Sequence, residues 1–165
     1  MSRLEKRVYE DLKMIFGDRV ECQPEIDDCV FEEGGKYTAD FYLRDIDLFI
    51  EVKGYMTVFE ANKYQYVFAL DNKNYYLFHA YNEDWFGESV DINKSVRDIH
   101  EELYQTQLEE LRALLTCNGN GPKKAVAELS DKCRARLAAY IKLRSHDLEK
   151  WSAEYTRKTG KKLNF

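Results

Sequence analysis

Apolar and polar residues alternate along this chain with two different periods. Four segments carry apolar residues at near-helical intervals and are predicted to be helices: 3–16, 57–70, 94–116 and 123–158. Three shorter runs rich in aromatic and β-branched residues are predicted to be strands: 38–43, 47–53 and 74–80. The stretch 19–37 is irregular and leaves room for a first strand and a loop. A strand, a crossover helix and a further strand in this order predict an α/β fold with a mixed central sheet flanked by helices, followed by a C-terminal α-helical extension.

The two C-terminal helical segments carry finer predictions. The acid pairs Glu101-Glu102 and Glu109-Glu110 lie off the apolar stripe and are expected to face water. Ser145 can cap a new helix, so a bend is expected near 145–147. Trp151 is expected to be packed, because aromatic residues at helical spacing are more often core than ligand contacts.

The first two predicted strands form a hairpin with a polar break between them. If the turn is centred on Asp45-Ile46, Tyr42 lies opposite Phe49 and Asp40 opposite Glu51. Directly opposed residues have their Cβ atoms about 4.5–5.5 Å apart on one face of a sheet. The pattern therefore predicts two carboxylates side by side.

Such a carboxylate pair favours a cation. Two negative groups repel at this distance unless a positive ion lies between them, and hard oxygen ligands suit Mg²⁺. Strand alternation places Lys53 on the same face as Glu51. An ammonium group beside a metal-binding pair can orient a water or stabilise charge on a phosphate, which is the chemistry of phosphodiester cleavage.

At these residues the chain resembles a known superfamily. Asp40, followed 11 residues later by Glu51-Val52-Lys53, is similar to the active-site signature of the PD-(D/E)xK nucleases, with Ala39 in place of the usual Pro. The segment from Ser2 to Leu12 looks like the opening helix of phage-type endonuclease I, the junction-resolving enzymes, in which an early helical Glu completes the metal site. By position that residue is Glu5. The resemblance covers roughly the first 80 residues and leaves the rest unmatched.

The resemblance implies a restriction-endonuclease-like core and a Mg²⁺-dependent DNA endonuclease, with Mn²⁺ able to substitute. Asp40, Glu51 and the Val52 carbonyl would bind the metal, Lys53 would act on the attacking water or the phosphate, and Glu5 would assist. The resemblance also implies branched DNA as the substrate and a homodimer as the assembly, because a junction is cut on two strands. The basic C-terminal segment is no part of that pattern, and restriction-like, mismatch-nicking and transposon-end nucleases share the core.

Other interpretations remain open. Glu10, Asp11 or Glu25 could replace Glu5, and Glu51 with Lys53 could be an ordinary surface ion pair. The chain could also be a non-catalytic module that binds nucleic acid or a protein partner on a nuclease fold. The metal chemistry does not separate DNA from RNA.

Charge divides the chain into an acidic N-terminal part and a basic C-terminal part. Residues 1–121 hold 13 Lys/Arg against 25 Asp/Glu, and residues 122–165 hold 12 against 5, within a total of −5. We expect a nuclease core at 1–91, an amphipathic helix and an Asn/Gly linker at 92–121, and a basic helical extension at 122–165. The residues predicted to bind nucleic acid are Lys63, Lys123, Lys124, Lys132, Arg134, Arg136, Lys142 and Arg144. The alternative is that the basic extension neutralises the acidic core.

Several classes of protein are disfavoured. No apolar run approaches the length of a membrane span and no apolar signal region is evident, so a cytoplasmic, phage-like protein without membrane contact is expected. No Gly-rich phosphate loop appears, so no nucleotide cofactor is expected. The 4 cysteines lack metal-binding spacing and are expected to be free thiols. His79 could be a general base, but a lone His on a strand is more often structural.

Overall fold

The protein folds around a four-stranded mixed sheet. The computed structural model of the chain describes residues 1–23, 25–30, 36–69, 73–83, 85, 93–117 and 121–162. Its helices and strands are, in chain order, α1 (Arg3–Phe16), β1 (Val20–Cys22), β2 (Glu25–Val30), β3 (Lys36–Thr38), β4 (Phe41–Leu43), β5 (Leu48–Lys53), α2 (Val58–Ala69), β6 (Asn74–His79), α3 (Val96–Arg112) and α4 (Gly121–Thr159). The predicted mixed sheet, flanking helices and C-terminal helix are confirmed.

The main sheet has the strand order β1-β4-β5-β6. The β1–β4 and β4–β5 pairs are antiparallel, whereas β6 runs parallel to β5 after the crossover through α2. The region expected to hold one strand and a loop holds β1 together with a separate two-stranded sheet of β2 and β3.

Both faces of this sheet are covered, because the residues of β5 alternate between two apolar clusters. Leu48, Ile50 and Val52 belong to the cluster that also contains buried residues of α1 and α3. Phe49 points to the other face, where it joins the apolar side of α2. Helix α4 contributes to both clusters, so it packs along the β6 side of the sheet.

Strand β6 is an edge strand whose outward backbone groups are satisfied by helical side chains. The Tyr75 amide donates to the Ser130 hydroxyl at 2.9 Å, and the His79 amide donates to the Gln107 side-chain oxygen at 2.8 Å. Ser130 and Gln107 are fully buried. Covering an edge in this way prevents it from pairing with another strand.

Helix α4 is continuous, so the bend expected at 145–147 is wrong. Leu143, Arg144 and Leu148 are good helix formers around Ser145, and a single Ser does not interrupt such a sequence. The buried residues of α4 end at Tyr140. Trp151 is 55% exposed, which also overturns its predicted packing.

The prediction that Glu110 of α3 faces water is also wrong. Glu110 is only partly exposed and accepts hydrogen bonds from Arg136 at 2.8 and 2.5 Å and from the Tyr76 hydroxyl at 2.8 Å. Glu101, Glu102 and Glu109 are exposed as expected.

Two further predictions can be compared with the described residues. Cys22, Cys117 and Cys133 are free thiols, as predicted. Within the described part of the chain, no helix has the length and apolar character required to cross a membrane.

Candidate active site

The hairpin of β4 and β5 sets the geometry of the site. Tyr42 pairs with Phe49 and Phe41 with Ile50, which confirms the predicted register. The connection is a short 3₁₀ turn over Arg44–Ile46, and Asp47 closes it with φ at 50°, a conformation that Asp tolerates better than most residues.

Asp40 lies just before β4 rather than inside a strand, because the ladder ends at the pair of Phe41 and Ile50. Its carboxylate takes over the next position of the ladder, where Oδ2 accepts a hydrogen bond from the Val52 amide at 2.8 Å. Asp40 is therefore fixed beside Glu51 and Val52 by a contact between side chain and backbone.

The charge on Asp40 is poorly compensated. Burial raises its pKa to about 6, and the nearby charge of Glu5 adds to that rise. The Val52 amide, Lys53 and the chain's terminal ammonium act in the opposite direction but do not outweigh burial.

Glu51 is buried on the α2 side of the sheet, with 8% of its surface exposed. Its Oε1 accepts a hydrogen bond from the Tyr64 hydroxyl at 3.1 Å. Burial together with the charge and hydrogen bond of Glu51 raises the pKa of Tyr64, so the phenol remains a proton donor to the carboxylate.

Lys53 lies at the partly exposed end of β5. Its Nζ is 3.8 Å from a carboxylate oxygen of Glu60 and 5.5 Å from the centre of the Tyr64 ring. Glu51 and Lys53 thus both contact Tyr64, which confirms that they share one face of the sheet.

Glu60 is held by the start of α2. The Thr57 amide donates to Glu60 Oε2 at 2.9 Å, and the Glu60 amide donates to Thr57 Oγ1 at 3.1 Å. This reciprocal capping box orients Glu60 toward Lys53.

Glu5 has a structural role that the sequence also encodes. It forms the capping box of α1 with Ser2: the Ser2 amide donates to the Glu5 carboxylate at 3.3 Å, and the Glu5 amide donates to Ser2 Oγ at 3.1 Å. It is also close enough to Asp40 for its charge to raise the Asp40 pKa. Glu5 therefore interacts with Asp40 through its charge.

The alternatives to Glu5 differ in their surroundings. The Asp11 carboxylate accepts a hydrogen bond from the Tyr104 hydroxyl on α3, and Glu10 is exposed. The Glu25 side chain lies outside the described residues.

Gly54 brings α1 close to the site. A Cβ at this position would lie 3.0 Å from the Tyr81 ring and 3.5 Å from a methyl group of Leu4, the neighbour of Glu5. The absence of a side chain therefore lets the start of α1 and Tyr81, two residues past β6, approach the end of β5.

The candidate metal site offers only a few protein donors. Among the described residues, no group of three His, Cys, Asp or Glu side chains is placed to hold a metal ion. Two carboxylates and a carbonyl remain. The Val52 carbonyl faces the Asp40 side, since the N–H and C=O of one strand residue point the same way and its N–H binds Asp40. Mg²⁺ keeps several waters and takes one or two protein carboxylates, so this set fits it.

The residues predicted to bind nucleic acid differ in their contacts and in their exposure. Arg136 binds Glu110, and Arg134 donates to the carbonyls of Phe68 and Lys73 at 3.0 and 2.8 Å. Lys124 and Arg144 have carboxylates 3.9 Å away on their own helix. The exposed members of the set are Lys63, Lys123, Lys124, Lys132 and Lys142. Their binding to DNA stays a prediction.

Sequence reasoning missed Tyr64, Glu60 and Thr57. Thr57-x-x-Glu60 before an apolar run is the signature of a capping box and would have identified the first turn of α2. Tyr64 follows Glu60 by four residues and so shares its helical face.

Comparison of the chain with protein-family models, with curated proteins and with solved structures gave no match.

Proposed function

We propose that this protein is a Mg²⁺-dependent DNA endonuclease that hydrolyses phosphodiester bonds with a restriction-endonuclease-like core. The observation that carries the proposal is the Asp40–Val52 hydrogen bond of 2.8 Å. It holds Asp40 against β5 next to Glu51, and the Val52 carbonyl lies on the Asp40 side of this strand, with Lys53 next along it. The resemblance of these residues to the PD-(D/E)xK signature supports the assignment.

Each residue has a distinct role in this proposal. Asp40, Glu51 and the Val52 carbonyl would hold Mg²⁺, which when bound would supply positive charge to the reacting phosphate. Lys53 positions the attacking water or stabilises the negative charge that develops on the phosphate oxygens. Tyr64 holds the Glu51 carboxylate in place, and Glu60 holds Lys53. Glu5, at the border of the site, orients a water or a second metal ion.

A specific observation favours one alternative. Glu51 has the Tyr64 hydroxyl and Lys53 has the Glu60 carboxylate, so both charges have partners in the absence of a metal. A binding module that retained the fold would have the same contacts. It would bind nucleic acid equally well with or without Mg²⁺ and leave the strands intact.

Cleavage assays separate the two functions. Supercoiled plasmid, a linear duplex, a four-way junction and an RNA duplex are each incubated with purified protein in Mg²⁺ or EDTA. We expect Mg²⁺-dependent cutting, and the preferred substrate identifies the class. Asp40→Ala, Glu51→Ala and Lys53→Ala should each reduce the cutting rate by at least about 1000-fold, because each removes charge from the reacting centre.

Controls make the result specific. Glu51→Gln keeps the shape of the side chain but removes its charge, and Glu21→Gln makes the same change on β1, where Glu21 pairs with Arg44. Glu51→Gln should lose cutting and Glu21→Gln should retain it, with unchanged circular dichroism in both. Retained cleavage in any two of the three alanine variants would refute the site, and binding without cutting on every substrate would establish the module.

A further inference from the structure

A large aromatic cavity adjoins the candidate active site. Its volume is about 1080 Å³, and it lies between the start of α2, the end of β6, the start of α3 and the second half of α4. The residues that the argument uses are Tyr55, Phe59, His79, Tyr81, Arg144 and Trp151. The Tyr140 hydroxyl donates to the Met56 carbonyl at 2.5 Å, which fastens α4 to the loop at the cavity wall.

His79 is one of the residues that line this cavity and is fully buried, with its ring edge-on to those of Trp85 and Tyr140. Neither of its ring nitrogens has a hydrogen-bond partner among the described residues. Burial lowers the pKa of His79 to about 4, so the ring is neutral near pH 7 and offers one donor and one acceptor. A buried polar group without a partner is costly unless a water, an ion or a ligand hydrogen-bonds to it.

The rim carries aromatic rings that the fold does not bury. Tyr55 is 79% exposed, Phe59 81% and Trp151 55%. Single exposed aromatic residues are ordinary, but three around one cavity offer flat apolar surfaces for stacking. Arg144 adds a cation to the same wall.

The cavity and the carboxylate site share a boundary. His79 is the ladder partner of Lys53 in the parallel pair of β5 and β6, and paired residues of neighbouring strands point to the same face. Glu60 contacts Lys53, and its charge also acts on His79. Tyr55 follows Lys53 by two residues. A strand whose phosphate reaches Lys53 would therefore pass close to this cavity.

We propose that this cavity binds an unpaired nucleotide of the DNA strand next to the phosphate that is cut. The base stacks on Phe59 and Trp151 and its polar edge hydrogen-bonds to His79, while Arg144 contacts a backbone phosphate. A paired and stacked base cannot enter such a pocket without leaving the duplex. The inference rests on the proposed function and narrows its substrate class to DNA with unpaired bases, such as flaps, bulges and open branch points.

Binding is tested without cleavage, in EDTA. The probe is a short single strand with one 2-aminopurine, whose fluorescence is quenched by stacking, compared with the same strand in a full duplex. We expect quenching with the single strand only. Phe59→Ala should weaken single-strand binding about tenfold, the scale of one base stacked on one aromatic ring. His79→Phe should weaken it as well, because the ring keeps its size and loses both nitrogens.

Tyr66→Ala is the matched control, because Tyr66 is also an exposed aromatic residue of α2, at 53%, and lies outside the cavity. It should leave binding and quenching unchanged. Equal losses in Phe59→Ala and Tyr66→Ala, or equal binding of single strand and duplex by the wild type, would overturn the inference. In the Mg²⁺ assay, flapped duplex should be cut faster than blunt duplex, and Phe59→Ala should remove that preference. Quenching without any cutting would retain the cavity and reject the nuclease.

Discussion

Two carboxylates of this protein, Glu110 and Asp40, are removed from water in different surroundings. Glu110 lies between α3 and α4, and only 18% of its side chain is exposed. The side chain of its partner Arg136 is 16% exposed. It receives two hydrogen bonds from that guanidinium and one from Tyr76. Asp40 lies at the end of the hairpin and receives a hydrogen bond from a neutral amide, with the negative Glu5 nearby.

The pKa shifts follow from these surroundings. Burial lowers the pKa of Arg136 because it disfavours the charged form. The hydrogen bonds and the charge of Glu110 raise this pKa by more, so the pKa of Arg136 is raised. At Asp40 burial is not outweighed, and the carboxyl pKa is raised to about 6. The first pair stabilises the fold by satisfying both charges. The second site holds negative charge that folding does not need, which is a frequent property of functional sites.

The largest effect on stability should come from breaking the Glu110 pair. Glu110→Ala leaves Arg136 buried without its carboxylate and Tyr76 without an acceptor. We expect the free energy of unfolding to fall by about 3 kcal/mol, within the range for breaking a buried ion pair. Urea denaturation followed by circular dichroism measures the change.

Glu109→Ala is the control for this comparison. Glu109 is the preceding residue on the same helix, but its side chain is 65% exposed in its pair with Arg112. Its removal should change stability by less than about 0.5 kcal/mol. Equal effects of the two substitutions would show that the Glu110 pair is no more important than a surface pair.

Asp40→Asn should have a smaller effect of the opposite sign. The folded-state pKa of about 6 lies above the ordinary aspartate value of 3.8, so the folded state binds more protons between these values and loses stability as pH rises through them. Asn keeps the acceptor for the Val52 amide but carries no charge. We expect a gain of about 1 kcal/mol above pH 6, after allowance for solvent screening, and no gain near pH 4.

Mg²⁺ should reverse the order of stability of Asp40→Asn and the wild type. Increasing Mg²⁺ should raise the thermal unfolding temperature of the wild type and leave that of Asp40→Asn nearly unchanged, since a bound ion stabilises only a state that binds it. Asp45→Asn, in an exposed pair with Arg19, should behave as the wild type does. If Asp40→Asn is more stable than the wild type at pH 4 as well as above pH 6, the loss of charge is not the cause of the added stability.

The difference between these regions also explains what the sequence could predict. Strand alternation and the turn at Asp45-Ile46 were sufficient to set the register that pairs Tyr42 with Phe49, because a shift by one residue would turn apolar side chains to the wrong face. That register placed Asp40 beside Glu51. The period of a segment and the apolar character of each of its faces are local properties, and sequence patterns express them directly.

Contacts between distant elements were not predictable in this way. The hydrogen bond from Tyr64 to Glu51 depends on how α2 packs over β5, and the pairing of Arg136 with Glu110 depends on how α4 packs on α3. Trp151 has helical apolar spacing, yet α4 continues past its last buried residue, Tyr140, and Trp151 is 55% exposed. Spacing predicts which face of a helix is apolar but not where its packing partner ends.

The smallest effect should come from Lys142, an exposed cation of α4 just past the buried part of that helix. If the exposed cations of this helix contact the DNA backbone, Lys142→Ala removes one phosphate contact. Affinity should fall two- to threefold, and the slope of log affinity against log salt should decrease by about one. Fluorescence anisotropy with a labelled duplex at several salt concentrations, in EDTA, measures both.

Lys13→Ala makes the same charge change on α1, where Lys13 pairs with Asp18 at 2.9 Å, and should leave the slope unchanged. An equal decrease in both variants would mean that overall charge, rather than a contact along α4, governs binding.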